Sequence, residues 1–192
     1  MKLKFEPTIP NILTLIRFLA IPVLAYYILA GDKYNTVAFI LFVSIWFTDL
    51  LDGWIARRFN QITEFGKLFD PLVDKLFQFT TALMMFIVGK LPVWVPIFLF
   101  VKELLMIVGG MILLRKKEIV VHARWYGKLA TVLFVLAFAS LFFLNEEQRY
   151  LSDYIFIIPV TWSLVAYIQY GLQNMLPALK DGQSDQPPKD NP

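Results

Sequence analysis

Apolar residues fall along this chain in six blocks separated by short polar stretches. The blocks run from about Ile12 to Ala30, Thr36 to Leu51, Asp70 to Val88, Val93 to Leu114, Lys128 to Leu144 and Tyr154 to Met175. A helix needs about twenty such residues to cross a hydrocarbon core roughly 30 Å thick. The pattern therefore predicts an all-α, polytopic membrane protein with six transmembrane helices. Gly31-Asp32, Gly89-Lys90-Leu91-Pro92 and Asn145-Glu146-Glu147 are turn-forming breaks between blocks. Pro22, Pro96 and Pro159 lie inside blocks and read as kinks, since neighbouring helices can satisfy the backbone groups that a proline frees. Residues 1–176 form one membrane domain in this reading, and residues 177–192 form a polar, Pro-rich tail without the apolar content to order itself.

Composition agrees. Of 192 residues, 58% are apolar and 17% charged, a balance that would leave a soluble domain of this size with much apolar surface in water. Without cysteine there is no disulfide framework, thiolate metal site or cysteine nucleophile. The first block lacks a small-residue cleavage site after a short apolar core, so it reads as a retained span. A net charge of +3 on a membrane protein bears on orientation more than on nucleic acid, which is not expected as a partner. Twelve Lys and Arg lie in the N-terminus, the second and fourth connections and the tail, against Lys33, Lys90 and Arg149 in the others. Basic connections stay in the cytoplasm, which places both termini there.

Charged groups inside spans are costly and are functional candidates by default. Arg17, Lys75 and Lys102 are the basic ones, and Asp49, Asp52, Asp70, Asp74 and Glu103 the acidic ones. Four of those acids fall in a single stretch. On a helix Asp49, Asp52, Gly53 and Ala56 share one face, and Gly66, Asp70 and Asp74 share a face of the next. Packed as a hairpin, the second and third spans would bring the two faces together near the cytoplasmic surface, with Pro71 at an early helical position. Four ionised carboxylates there repel by roughly 3 kcal/mol per pair at about 6 Å and an effective dielectric near 20. Either some are protonated or they hold cations. An all-oxygen set suits Mg²⁺, Mn²⁺ or Ca²⁺ rather than zinc, and two such ions could clamp a diphosphate and activate an attacking hydroxyl. The small residues Gly53, Ala56 and Gly66 leave room for a bulky ligand against backbone. The structural alternative is that these aspartates serve bundle hydrogen bonds or cap loops.

Asp49, Asp52, Gly53, Ala56, Arg57, Gly66, Asp70 and Asp74 match the signature D-x2-D-G-x2-A-R-x8-G-x3-D-x3-D with every spacing intact over 26 residues. At these positions the chain resembles the CDP-alcohol phosphatidyltransferase family, whose six-helix fold covers the chain to about Leu176. The resemblance implies that Asp49, Asp52 and Asp70 are metal ligands, and that Asp74 both touches the metal site and acts as general base on the acceptor hydroxyl. It implies that Gly53, Ala56, Arg57 and Gly66 line the CDP-lipid pocket, and that Mg²⁺ or Mn²⁺, two ions, is the cofactor. Within the family, the opening Pro10 to Arg17 and the segment Asn60 to Lys75 look most like bacterial phosphatidylglycerophosphate synthases. CDP-diacylglycerol and sn-glycerol 3-phosphate would then be the substrates, in the inner (cytoplasmic) membrane, with the active site facing the cytoplasm. Family members are commonly homodimers.

A phosphorylated acceptor needs cationic side chains, and Arg17, Lys102, Arg115, Arg124 and Lys128 are the candidates. The basic loop from Arg115 to Lys128 reads equally as a positive-inside anchor. Lys102-Glu103 stands where those synthases commonly show Arg-Glu, and Ala130 where a second lysine is common. A CMP-forming cardiolipin synthase, or another family member with a different acceptor, shares the same eight residues. A cation transporter is the reading from a different class, but it expects acids distributed through the membrane depth rather than gathered at one mouth.

Overall fold

The structure is a computed structural model that describes residues 6–115 and 125–181. The described residues form six α-helices: α1 (Ile9–Leu29), α2 (Asn35–Arg58), α3 (Glu64–Ile87), α4 (Trp94–Arg115), α5 (Trp125–Leu141) and α6 (Leu151–Asp181). Single 3₁₀ turns at Asp32–Tyr34 and Glu146–Gln148 occupy two of the expected breaks, and no strand occurs among the described residues. Among the described residues three helical stretches are long and apolar enough to cross a membrane: Ile9–Leu29, Asp32–Arg58 and Leu151–Gln169. All six helices leave large apolar side chains exposed, among them Leu19, Ile40, Phe79, Phe100, Leu136 and Ile158.

Local signals explain the helix limits. Helix α2 runs past the end of its apolar block and closes on Arg57 and Arg58, whose charges favour a helix C-terminus. The amide of Gln61 donates to the carbonyl of Ala56 at 3.0 Å, and Asn60 turns the chain with φ 52°. That is a Schellman stop, with Asn in the left-handed position that usually takes Gly. Helix α3 ends the same way, with Gly89 at φ 72° and the Lys90 amide on the Met85 carbonyl at 2.9 Å.

Two expectations about proline are corrected. Thr63 caps α3, its hydroxyl accepting from the Gly66 amide at 2.9 Å, so the helix starts at Glu64 and Pro71 lies in its interior rather than near its start. Pro96 falls in the first turn of α4, where backbone amides have no helical partner anyway, and so it does not interrupt that helix. Helix α6 continues to Asp181, five residues beyond Leu176.

The packing order also differs from a simple hairpin. Helix α1 packs closely on both α2 and α3, whereas α2 and α3 make little direct contact with each other. Helix α5 packs on α6, and α3 on α4. Phe42 of α2 is fully buried at the junction, with its ring 5.2 Å from Phe77, 5.6 Å from Phe142 and 6.4 Å from Phe138. Phe156 of α6 meets Phe138 edge-on at 5.0 Å. Such aromatic pairs stabilise by about 0.5–1.5 kcal/mol beyond the area they bury. The apolar core thus fills the half of the bundle near the C-termini of α1 and α3, while Asn11, Thr14, Arg17, Asp52 and Thr63 lie buried together in the other half.

Candidate active site

Helix α1 is apolar except along one line. Asn11, Thr14 and Arg17 are spaced by three, so they lie along one side of the helix, and all three are buried. That side faces the aspartates. The guanidinium of Arg17 donates through Nη1 to Asp49 and, at 2.6 Å, to Asp74, and through Nη2 to Asp52 at 2.5 Å. The Thr14 hydroxyl lies 2.5 Å from Asp70 Oδ1 and 3.4 Å from Asp52 Oδ2. All four motif carboxylates are therefore gathered around two side chains of α1, two from α2 and two from α3.

Lower on the same line, Asn11 fastens the start of α3. Its side-chain amide donates to the Glu6 carbonyl at 2.7 Å and to Thr63 Oγ1 at 3.0 Å. Gly66 passes so close that a Cβ there would stand 2.8 Å from Asn11 Oδ1 and 3.1 Å from Thr63 Oγ1. An added methyl group would force the Asn11 or Thr63 side chain to shift. Gly53 is different, since a Cβ there would meet the Arg57 guanidinium at an ordinary 3.5 Å. The Arg57 guanidinium lies over the bare backbone of Gly53 and places positive charge there.

Burial differs among the acids. The side chain of Asp52 is 3% exposed, whereas Asp49 and Asp74 are 34% and 44% exposed. One guanidinium against four carboxylates leaves a formal excess of three negative charges. Among the described residues no three acidic, His or Cys side chains are gathered at metal-ligating spacing, and Arg17 bridges the carboxylates instead. The donor chemistry nevertheless fits a hard divalent cation. It offers only oxygen ligands, carries uncompensated negative charge and keeps two carboxylates open to solvent.

The other expected site residues separate into groups. Gly53, Ala56 and Arg57 follow the aspartates along α2, and Gly66 lies on α3 beside Asp70. Lys102 is paired with Glu103 at 3.1 Å, and Glu103 also pairs with Lys75 of α3, so Lys102 sits in a separate charged cluster. Lys128 is exposed in the first turn of α5. Arg124 lies outside the described residues, and of the Arg115 side chain nothing is described. Asn11, Thr14 and Thr63 are not among the residues expected from the sequence. The spacing by three of Asn11, Thr14 and Arg17 in an otherwise apolar helix was the available signal.

Comparison with known proteins identifies the family. Residues 7–168 match the family model of the CDP-alcohol phosphatidyltransferases. The CDP-diacylglycerol–glycerol-3-phosphate 3-phosphatidyltransferase of Aquifex aeolicus is 30% identical over 179 residues, covering 90% of this chain and 99% of that protein. A protein of the same name from Rickettsia felis is 43% identical over 76 residues, 38% of this chain and 41% of its own length. A CMP-forming cardiolipin synthase of Streptomyces coelicolor is 33% identical over 138 residues, 70% of this chain and 64% of that protein. With the signature, the helical fold and the family match in agreement, this chain belongs to the CDP-alcohol phosphatidyltransferase family, whose members are CMP-releasing transferases.

Proposed function

We propose that this chain transfers the phosphatidyl group of CDP-diacylglycerol to sn-glycerol 3-phosphate, giving phosphatidylglycerophosphate and CMP. The observation that carries the reading is the convergence of Asp49, Asp52, Asp70 and Asp74 on the polar side of α1. The full-length similarity to the Aquifex aeolicus protein supports this choice of acceptor.

In this reading the enzyme crosses the inner (cytoplasmic) membrane six times as one domain over residues 1–176, with both termini and the active site on the cytoplasmic side and residues 177–192 as an appended tail. Large apolar side chains exposed on all six helices support the six spans. The excess of Lys and Arg in alternate connections supports the orientation. Asp49, Asp52, Asp70 and Asp74 would hold two Mg²⁺ or Mn²⁺ ions. Such ions, when bound, neutralise the diphosphate and lower the cost of placing charge on its bridging oxygen.

The chain's own residues account for the remaining steps. Gly53 and Ala56 leave space for the cytidine diphosphate, Arg57 supplies positive charge above Gly53, and Gly66, beside Asp70, is assigned to the same pocket. Asp74 is the most exposed of the three carboxylates held by Arg17, which suits a base that must reach an incoming alcohol. It takes the proton of the acceptor hydroxyl as that oxygen bonds to the lipid-side phosphorus. The bond from that phosphorus to the bridging oxygen breaks, and CMP leaves with the electron pair. Lys128, exposed at the start of α5, is assigned with Arg124 and Arg115 to the acceptor phosphate. A homodimer is the expected assembly.

The similarity to the Streptomyces coelicolor cardiolipin synthase favours one second reading, in which phosphatidylglycerol is the acceptor. CMP release by the purified protein in detergent, with CDP-diacylglycerol and Mg²⁺, separates the two. Release that requires glycerol 3-phosphate and stops with EDTA is the expected result. Release that requires phosphatidylglycerol would move the chain to the second reading, and no release with either would remove both.

A further inference from the structure

Arg17 is placed unusually for a cation that serves only to pack a helix. It is 2% exposed, and its two terminal nitrogens reach three carboxylates drawn from two different helices. Its remaining nitrogen, Nε, is buried without a partner. A buried donor left unsatisfied is costly, so the carboxylates rather than the needs of the guanidinium set this position. Each of the three carboxylates belongs to the set that would also hold divalent ions.

We infer that Arg17 is a tethered counter-ion that competes with divalent cations for Asp49, Asp52 and Asp74, and so sets the affinity of the centre for metal. This rests on the metal-binding reading above. The physical basis is charge exclusion. A guanidinium and a divalent ion cannot both sit among the same oxygens without strong repulsion, and its favourable pairing with the carboxylates must be given up or weakened as an ion enters. Thr14 does not compete, because its neutral hydroxyl holds Asp70 in place without adding charge. Helix α1 thus divides the aspartates into one positioned by a neutral group and three held by a cation.

Binding of Mn²⁺ to the purified full chain without substrate, followed by the electron paramagnetic resonance of the free ion at pH 8, tests this. Arg17→Gln should bind Mn²⁺ roughly tenfold or more tightly than the unaltered protein, because a unit positive charge paired with the ligand carboxylates is removed. The sign of the change is decisive. If Arg17 only held the helices together, its loss would loosen the ligand set and weaken uptake. Equal or weaker binding by a variant that keeps its helical circular dichroism and elution volume would therefore overturn the inference. Should Arg17→Gln fail to fold, Arg17→Lys provides the same test, since one ammonium cannot span three carboxylates and should also bind Mn²⁺ more tightly. Asp52→Asn separates the two levels of the argument. Uptake by the unaltered protein that falls in Asp52→Asn establishes the centre, and the Arg17 variants then decide the competition. No uptake by the unaltered protein would overturn the metal reading and the competition with it.

Discussion

Two charged clusters lie at opposite ends of the same three helices, and they are built on opposite rules. Around Arg17, one cation faces four carboxylates. At the far ends of α1 and α3 and the start of α2, Lys90 donates to Asp32 at 2.5 Å and to Asn35 at 2.9 Å, while Arg149 reaches Asp32 at 3.9 Å and Glu146 at 3.6 Å. Two cations there meet two acids. The balanced cluster ties three connections together and leaves nothing over for a ligand. The unbalanced one retains charge that only something outside the chain can neutralise. Within one fold, the ratio of opposite charges separates a closed polar cluster from one with charge to spare better than burial does, since Lys90 and Arg17 are both buried.

The largest expected effect is at the unbalanced end. Asp74→Asn should lower kcat for CMP release by about 10²- to 10⁴-fold, the range for loss of a general base, while retaining Mn²⁺ uptake better than Asp49→Asn. If both variants kept their activity and bound metal equally, the contrast between the ends would collapse into two structural clusters. Gly66→Ala follows in size. The added methyl group meets Asn11 Oδ1 at 2.8 Å and should cost about 1–3 kcal/mol as the α1–α3 crossing opens, read as a fall in Tm in detergent with parallel loss of activity.

At the balanced end, Lys90→Met should lower Tm by an amount corresponding to about 1 kcal/mol, since Asp32 is half exposed and water takes over its charge. The Michaelis constants at 25 °C should not change. A changed constant for either substrate would mean that the far cluster reaches the site.

The smallest effect concerns pH. The hydrogen bond from Lys90, with Asn35 and Arg149 adding to it, holds the Asp32 carboxyl below its ordinary value of 3.8 against the opposing effect of burial. A group depressed on folding stabilises fully above its unfolded pKa, and the contribution fades as pH falls through the folded one. Tm should therefore drop a little less steeply below about pH 4 in Asp32→Asn than in the unaltered protein. An identical acid limb would show that the pair adds nothing to folding.

Much of the centre could be read in advance because its acids are ionisable and regularly spaced. Asp49 to Asp52 and Asp70 to Asp74 follow helical intervals, and charge inside an apolar block stands out. What brings them together could not be read that way. Thr14 and Asn11 are neutral residues of a kind common in membrane helices, and their partners Asp70 and Thr63 lie 56 and 52 residues away. The direct hairpin expected of α2 and α3 gave way to α1 lying against both, a packing choice that connection length does not encode. Helix α3 began earlier than its apolar block because a single hydroxyl, that of Thr63, outweighed hydropathy in deciding where the turn winds up.

The crossing of Asn11 and Gly66 also bears on how such a chain can vary. With 2.8 Å between the amide oxygen and the place of a missing methyl group, neither position is free to drift on its own. A lineage that enlarged residue 66 would have to shift or shorten residue 11, and with it the link from α1 to Thr63. The two residues, 55 positions apart in the chain, thus limit each other's size.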